Sequence, residues 1–219
     1  MQNREQASRL CHLCVTIGEM AQQQRVVTFT VVLMSSATLL AGCVRDPLPA
    51  VCPIDDVGGL VISEVRGDQT ASTDTLGQWI EIYNASANTV DLAGLTVQLK
   101  RKDGGATATI LVTRSIDVAS QGYATIGRFD DTALPPAIDF GYANQVTAGL
   151  YASGAITLLS CDSQIDRIIY DSLPRTGTYN LSPAGGAPSA TTNDPTTAWC
   201  ADASSGAAGT PKGANRPCP

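Results

Sequence analysis

The sequence predicts an all-β domain that follows an export signal. Short runs rich in valine, isoleucine, threonine and tyrosine recur along the chain, and glycine and aspartate separate them. After Cys43, no window shows the 3.6-residue apolar period of an amphipathic helix. Many short strands divided by turn residues favour a β-sandwich, in which two sheets pack face to face.

The N-terminal region has the order of an export signal. Val26 to Leu40 is uncharged and apolar, and Arg25 precedes it. Such a run spans about 22 Å as a helix, which is short for a bilayer core of about 30 Å and suits a signal helix. We therefore predict that residues 1–42 are an export signal. Met20 is a more natural start than the first residue, so translation from Met20 is the alternative.

The signal ends in Leu40-Ala41-Gly42-Cys43, which resembles the lipobox of bacterial lipoproteins. The resemblance implies cleavage between Gly42 and Cys43 and a lipid on the Cys43 thiol. Two or three acyl chains would anchor the protein stably, whereas one chain anchors only marginally. It further implies a place in the bacterial cell envelope, on the outer membrane or the periplasmic or extracellular face. The alternative is an ordinary signal peptide whose cleavage site lies beside a cysteine.

The mature chain is acidic and lacks histidine. From Cys43 onward, 11 lysines and arginines stand against 18 acidic residues, and the only histidine is His12. An acidic surface repels phosphates, so no nucleic acid is expected as a partner. The basic triplet Lys100-Arg101-Lys102 precedes Asp103-Gly104-Gly105 and is predicted to be a hairpin tip. Without histidine, Ser-His-Asp, Cys-His and His-bearing zinc chemistry are excluded.

Besides Cys43, four cysteines remain in the mature chain: Cys52, Cys161, Cys200 and Cys218. An even number in an oxidising compartment predicts two disulfides, with three arithmetical connectivities. We expect Cys52–Cys218 with Cys161–Cys200, because this nested pairing fastens each flank to the domain. Cys11 and Cys14 precede the predicted cleavage site, so no zinc site is expected there.

Composition divides the mature chain into three parts. Residues 43–57 are short and carry prolines, which is typical of a tether. Residues 58–175 hold the candidate strands. Residues 176–219 are rich in Thr, Ser, Ala, Gly and Pro, which predicts a loop-rich tail that buries little. Trp199 and Cys200 are expected to pin that tail to the sandwich.

The candidate strands show alternating patterns. They are Leu60–Val65, Trp79–Tyr83, Leu95–Lys100, Thr109–Thr113, Tyr123–Ile126, Ala155–Ser160 and Gln164–Tyr170. In the second of these, Ile80 and Ile82 fall on one face. Trp79, Glu81 and Tyr83 fall on the other.

Several runs together resemble the lamin-tail domain. Leu60–Val65 and Gln78–Asn84 are similar to the opening of that family, and Val90–Val97, Val118–Ile126 and Ile156–Tyr170 to its later runs. The resemblance covers about residues 58–173. It implies an immunoglobulin-like β-sandwich that binds or positions rather than catalyses. The connection from Phe129 to Gly149 is longer than is usual in the family.

One pair of acidic residues is a candidate for acid–base chemistry. Glu64 and Glu81 lie on neighbouring predicted strands, so their carboxyl groups are expected to approach each other. The more ordinary interpretation is that Arg66 or a backbone contact neutralises them.

Two further groups of residues could bind ligands. Acidic residues in predicted loops are candidates for calcium: Asp55, Asp56, Asp130, Asp131, Asp162 and Asp166. They are more often solvated turn formers, so no cofactor is expected and calcium is the alternative. Four tyrosines could form a sugar- or peptide-binding face, although packing is their ordinary role: Tyr83, Tyr142, Tyr151 and Tyr170.

These observations favour a lipid-anchored, non-catalytic interaction or adhesion module of the bacterial cell envelope. Its expected partners are the membrane, through lipid on Cys43, and an unidentified protein or polysaccharide. The alternatives are a metal- and carboxylate-dependent envelope hydrolase and a calcium-dependent carbohydrate-binding module. The absence of histidine and of a glycine-rich phosphate loop favours the first interpretation.

Overall fold

A computed structural model describes residues 59–70, 76–161, 163–203 and 209–218. The predicted export signal and tether, with Gly42, Cys43 and Cys52, lie outside these residues. The described chain forms β-strands and two 3₁₀ turns, Pro183–Gly185 and Thr196–Ala198. None of the helices in the described ranges is long and apolar enough to cross a membrane. The prediction of an all-β domain is confirmed.

The strands, in chain order, are β1 (Leu60–Arg66), β2 (Trp79–Asn84), β3 (Val90–Asp91), β4 (Leu95–Arg101), β5 (Thr107–Leu111), β6 (Asp117–Val118), β7 (Tyr123–Gly127), β8 (Phe140–Gly141), β9 (Gly154–Ser160), β10 (Ser163–Tyr170), β11 (Thr178–Leu181) and β12 (Trp199–Asp202). Six of them form one sheet in the order β12-β11-β1-β2-β7-β8, and four form another in the order β10-β9-β4-β5. Strands β3 and β6 pair separately. All pairs are antiparallel except β7 with β8.

The core lies between the two larger sheets. Ile62, Ile80 and Ile126 enter it from the six-stranded sheet, and Val97 and Leu158 enter it from the four-stranded sheet. All five side chains are fully buried. Alternation along each strand supplies one apolar face to this core, which is the arrangement of a β-sandwich.

The hairpin of β4 and β5 follows its sequence pattern. Leu95, Val97 and Leu99 are buried, while the residues between them are partly exposed. Gly104 has a positive φ of 76° at the connecting turn, a conformation that glycine adopts without strain. The basic residues at this end of the hairpin are exposed, and Lys102 forms an ion pair with Asp171. The predicted solvated hairpin tip is therefore confirmed.

The sandwich continues past the predicted boundary at residue 175. Strand β11 pairs with β1, and β12 pairs with β11, so both belong to the six-stranded sheet. The expectation of a loop-rich tail is wrong for these two strands, because a few large apolar residues are enough to hold them. Trp199 stacks on Tyr179 with ring centroids 4.9 Å apart, and its indole nitrogen donates to the Asn193 carbonyl at 2.8 Å. Trp199 therefore pins this region, as expected.

The disulfides differ from the nested pairing that we expected. Cys200 bonds to Cys218, with Cα atoms 5.8 Å apart, so the Cys161–Cys200 and Cys52–Cys218 pairs are wrong. Cys161 is also disulfide-bonded and follows β9 in the other sheet. The physical reason is that Cys200 lies on β12 beside Asn180, and the chain returns along this sheet until Cys218 reaches it.

Candidate functional site

The outer face of the six-stranded sheet, turned away from the core, carries three neighbouring rows of side chains. Each row crosses β1, β2 and β7: Arg66, Trp79 and Gly127; Glu64, Glu81 and Thr125; Val61, Tyr83 and Tyr123. Ile80 and Ile82 point into the core between these rows, as the alternation predicted. Yet every residue of β2 is buried, so this outer face is covered as well.

Residues 209–218, which we call the C-terminal strap, lie over part of this face. Asn215 donates to the carbonyls of Ser63 at 2.7 Å and Leu181 at 2.9 Å, and Asn180 donates to the Arg216 carbonyl at 3.0 Å. The strap therefore crosses β1 and β11 through polar contacts. Its disulfide from Cys218 to Cys200 fastens the end.

Glu64 and Glu81 lie directly opposite each other on β1 and β2, and both are fully buried. The register of β1 shifts between Ile62 and Glu64, which marks a β-bulge there. A bulge re-aims the side chains beside it. The prediction that these two carboxyl groups approach each other on neighbouring strands is supported by this register.

The strap supplies hydrogen bonds to both carboxyl groups. The Lys212 amide donates to Glu81 Oε2 at 2.7 Å, and the Ser63 hydroxyl donates to Glu81 Oε1 at 2.8 Å. The Thr210 amide and hydroxyl donate to Glu64 Oε2 at 3.1 Å and 3.0 Å. The Thr178 hydroxyl donates to Glu64 Oε1. Two ordinary explanations were given above for the buried acid pair. Of these, contact with the backbone agrees with the hydrogen bonds from the Lys212 and Thr210 amides.

Burial controls the protonation of this pair. Desolvation raises the pKa of Glu64, although hydrogen bonds from Thr178 and Thr210 oppose the shift. Desolvation also raises the pKa of Glu81, and the charge of Glu64 raises it further. A general acid or base must reach its substrate, and both carboxyl groups are enclosed by protein hydrogen bonds. The arrangement holds the strap in place.

Backbone conformation fits the strap to the acid pair. Gly209 has a φ of 73°, and a Cβ there would lie 2.6 Å from Thr178 Cγ2 and 2.8 Å from Glu64 Oε1. Only glycine satisfies both constraints at low cost. Lys212 also has a positive φ, of 63°. Its ammonium group bonds to Asp139 Oδ1 at 2.7 Å, which ties the strap to the loop before β8.

Asp166, expected to be a loop ligand for calcium, instead lies within β10 and is 3% exposed. Its Oδ2 accepts from the Ile62 amide at 2.7 Å and from Asn193 Nδ2 at 2.8 Å. It therefore links the two sheets beside the bulge of β1. Burial raises the pKa of Asp166, and these hydrogen bonds oppose that shift. The expectation that Asp166 lies in a loop is wrong, because the strand continues through it.

The remaining acidic candidates fall into two groups. Asp130 accepts from the Thr132 amide at 2.9 Å, and Asp131 accepts two hydrogen bonds from Arg114. Asp55, Asp56 and Asp162 lie outside the described residues. Within the described ranges, no group of three or more potential metal ligands converges.

The predicted tyrosine face does not form. Tyr142 and Tyr170 are core residues, and Tyr151 packs partly buried against the core. Of the four predicted tyrosines, only Tyr83 lies on the outer face. Its ring lies 5.0 Å from that of Tyr123, at an angle of 50°. The interpretation of the four tyrosines missed Tyr123. Its signal was the alternation of Tyr123-Ala124-Thr125-Ile126, which puts Tyr123 opposite the core-facing Ala124.

These two rings line a cleft of about 420 Å³, which we call the tyrosine cleft. Its other walls are the segment from Leu181 to Pro188 and the strap residues Ala214 and Asn215. Tyr83 is 5% exposed, whereas Tyr123 is half-buried and Gln121 is exposed. The described residues that line the cleft include no Asp, Glu, Lys, Arg or His.

Comparison with known families identifies the domain. Residues 55–172 match the family model described as Lamin Tail Domain. The chain belongs to the lamin-tail domain family. This finding confirms the resemblance seen in the sequence and agrees with the immunoglobulin-like β-sandwich described above. Lamin-tail domains are generally non-catalytic interaction modules. A search of curated proteins finds no match to this chain.

The acid pair and the cleft extend beyond the lamin-tail match. Glu64, Glu81 and Tyr123 fall inside it, whereas the strap that bonds the acid pair begins at Gly209. Asn215, on the cleft wall, also lies beyond the match. Both features therefore combine the lamin-tail strands with the C-terminal region of this chain.

Proposed function

We propose that this chain is a lipid-anchored, non-catalytic interaction module of the bacterial cell envelope that binds its partner in the tyrosine cleft. The observation that carries the proposal is the contrast on the outer sheet face. Glu64 and Glu81, the predicted acid–base pair, are enclosed, whereas the half-buried Tyr123 in the neighbouring row lines a cleft. Ligand sites are typically concave and combine apolar walls with a few polar groups.

The anchoring part of the proposal depends on the sequence. Leu40-Ala41-Gly42-Cys43 would supply the lipid on Cys43, and residues 43–57 would act as a tether between membrane and domain. The hydrolase alternative requires an accessible carboxylate pair. Glu64 and Glu81, its candidates, are saturated with protein hydrogen bonds, so the structure gives that alternative no support.

Two measurements on the full chain test this proposal. Cys43→Ser should move the protein from the membrane fraction to the soluble fraction, and unchanged detergent-dependent fractionation would contradict lipid anchoring. Pull-down from envelope extracts should recover a component that Tyr123→Ala loses and that Leu111→Ala retains. Leu111 is the matched control because it is a 44% exposed apolar residue on β5 of the other sheet. Equal recovery by both variants would contradict the cleft as the binding surface.

A further inference from the structure

The tyrosine cleft is neutral although the protein is acidic. The whole chain carries a net charge of −6, yet the described lining residues include no ionised side chain. A charged ligand bound here would lose its hydration without gaining an ionic partner, which is costly. The lining therefore favours an uncharged ligand.

The lining of the cleft places an aromatic ring beside polar side chains. Tyr123 is half-buried, and its ring packs against that of the nearly buried Tyr83. Aromatic side chains offer a large apolar surface together with a polar edge. Such a surface suits the C–H face of a pyranose ring, whose hydroxyl groups point outward and need hydrogen-bond partners.

Gln121 can supply such partners. Its backbone has a φ of 60°, and its amide donates to the Asn84 carbonyl at 2.9 Å, which holds the turn before β7. Its side chain is exposed and has one carbonyl acceptor and two N–H donors. The Ser182 hydroxyl accepts from the Ala184 amide at 3.3 Å and keeps its own proton to donate. Paired donors and acceptors of this kind match vicinal hydroxyl groups.

The position of the cleft argues against an extended peptide that adds a strand. Strands β2 and β11 each have a neighbour on both sides in the six-stranded sheet, and β7 pairs with β2 along Tyr123–Gly127. The cleft lies over the face of this sheet, where Tyr83 and Tyr123 project, whereas strand addition needs a free sheet edge. A polyproline ligand docks between several exposed aromatic rings, whereas here one of the two rings is almost fully buried.

We infer that the tyrosine cleft binds a neutral glycan, with Tyr123 stacking on a sugar ring and Gln121 binding its hydroxyl groups. This inference rests on the proposed function, since it names the class of partner for the same cleft. The cleft volume of about 420 Å³ falls in the range of small-ligand sites and has room for a disaccharide-sized segment.

The test is titration calorimetry on the full chain in detergent. The probes are cellotriose, maltotriose and chitotriose, with a polygalacturonate oligomer and a proline-rich decapeptide as comparators. At least one neutral trisaccharide should bind. Tyr123→Ala should weaken its affinity by roughly tenfold or more, since loss of an aromatic contact costs about that much. Tyr123→Phe should keep most of the affinity, and Gln121→Ala should lower it by a smaller factor.

Leu111→Ala is the matched control and should bind like the wild type. Melting temperatures of all variants identify any loss of affinity that is due to unfolding. If Tyr123→Ala lowers the melting temperature, the test of the cleft is the affinity of Gln121→Ala, whose substitution lies on the exposed turn. Absence of binding by all three sugars, or binding only of the acidic oligomer or the decapeptide, would overturn the glycan inference. If the sugars fail to bind but recovery from envelope extracts still depends on Tyr123, the glycan inference is wrong and the proposed function stands. If that recovery also fails, the glycan inference and the proposed function are both wrong.

Discussion

Two neighbouring rows on one sheet face differ in how far the C-terminal strap encloses them. Glu64 and Glu81 are closed off by the strap, whereas Tyr83 and Tyr123, one row further along the same strands, border an open cleft. The carboxyl groups accept hydrogen bonds from strap amides and hydroxyls. The difference teaches that the role of a side chain on this face depends on the C-terminal region as much as on the strands.

The largest expected effect on stability comes from releasing the strap, which would expose the acid pair. A Cys200→Ser, Cys218→Ser double variant should lower the free energy of unfolding by about 3 kcal/mol, because the bond closes a loop of moderate length in the unfolded chain. The sequence separation is 18 residues. Urea denaturation measures the loss. The variant is preferable to a thiol reductant, because Cys161 is also disulfide-bonded.

If the strap needs the disulfide, the double variant should also become sensitive to protease cleavage within residues 209–218. A loss below about 1 kcal/mol with unchanged protease resistance would show that the polar contacts hold the strap alone.

Removing a carboxyl group is the next largest test. Glu64→Ala leaves the Thr178 hydroxyl and the Thr210 amide and hydroxyl without their acceptor. Each unsatisfied buried donor costs about 1–3 kcal/mol, and relief of the desolvated charge offsets part of this. We expect a net loss of about 2 kcal/mol in the free energy of unfolding, measured by urea denaturation.

The matched control for Glu64→Ala is Asp171→Ala, which removes an exposed acidic partner of Lys102. Exposed ion pairs contribute about 0–1 kcal/mol, so this control should change stability little. Equal effects of the two substitutions would mean that the strap does not depend on the acid pair.

Much of the fold was predictable because its signals are local. Alternation in β2 placed Ile80 and Ile82 toward the core and Glu81 away from it, and the neighbouring runs paired as expected. The strap was not predictable, because its segment has no hydrophobic period. The strap contacts the acid pair partly through backbone amides, such as that of Lys212. Backbone amides leave no signal in the sequence. The predicted disulfide pairing was wrong for the same reason, since the partner of Cys218 depends on the path of the strap.

The site was predictable in part. Two carboxyl groups on adjacent strands were evident from the sequence, but their burial depended on a segment more than a hundred residues away. Tyrosines gave a weaker signal, because buried tyrosines occur both in the core, as Tyr142 does, and on the outer sheet face, as Tyr83 does. Only the strand register separates a core tyrosine from one that lines a cleft.

A single substitution in the strap tests, with a smaller expected effect, how the strap fits the acid pair. Gly209→Ala should lower the free energy of unfolding by about 1.5 kcal/mol, because its positive φ and close contacts disfavour a Cβ. Gly213→Ala is the control in the same segment, since a Cβ there meets only the Thr210 carbonyl oxygen, at 3.5 Å. Thermal unfolding compares the two variants. A more damaging Gly213→Ala would place the critical contact of the strap elsewhere.

The smallest expected effect is a pH slope carried by the acid pair. The raised pKa values of Glu64 and Glu81 mean that the folded chain binds protons more tightly than the unfolded chain. Stability from this source is therefore complete below the ordinary pKa of 4.5 and is lost as pH rises through it toward the folded values. Asp166 acts in the same direction. The lowered pKa of Asp131 acts oppositely, below its ordinary value of 3.8.

Glu81→Gln should flatten this slope above about pH 4.5, where one proton accounts for at most about 1.4 kcal/mol per pH unit. Ser63→Ala is the informative control, because it keeps the carboxyl group and removes a hydrogen bond that favours its charged form. That control should leave the slope in place or steepen it, because Glu81 then favours its neutral form at least as strongly. Free energies of unfolding measured at several pH values decide the matter. A slope that Glu81→Gln leaves unchanged would mean that burial under the strap does not raise the pKa of Glu81, and that the amide of Lys212 already balances the cost of its charge.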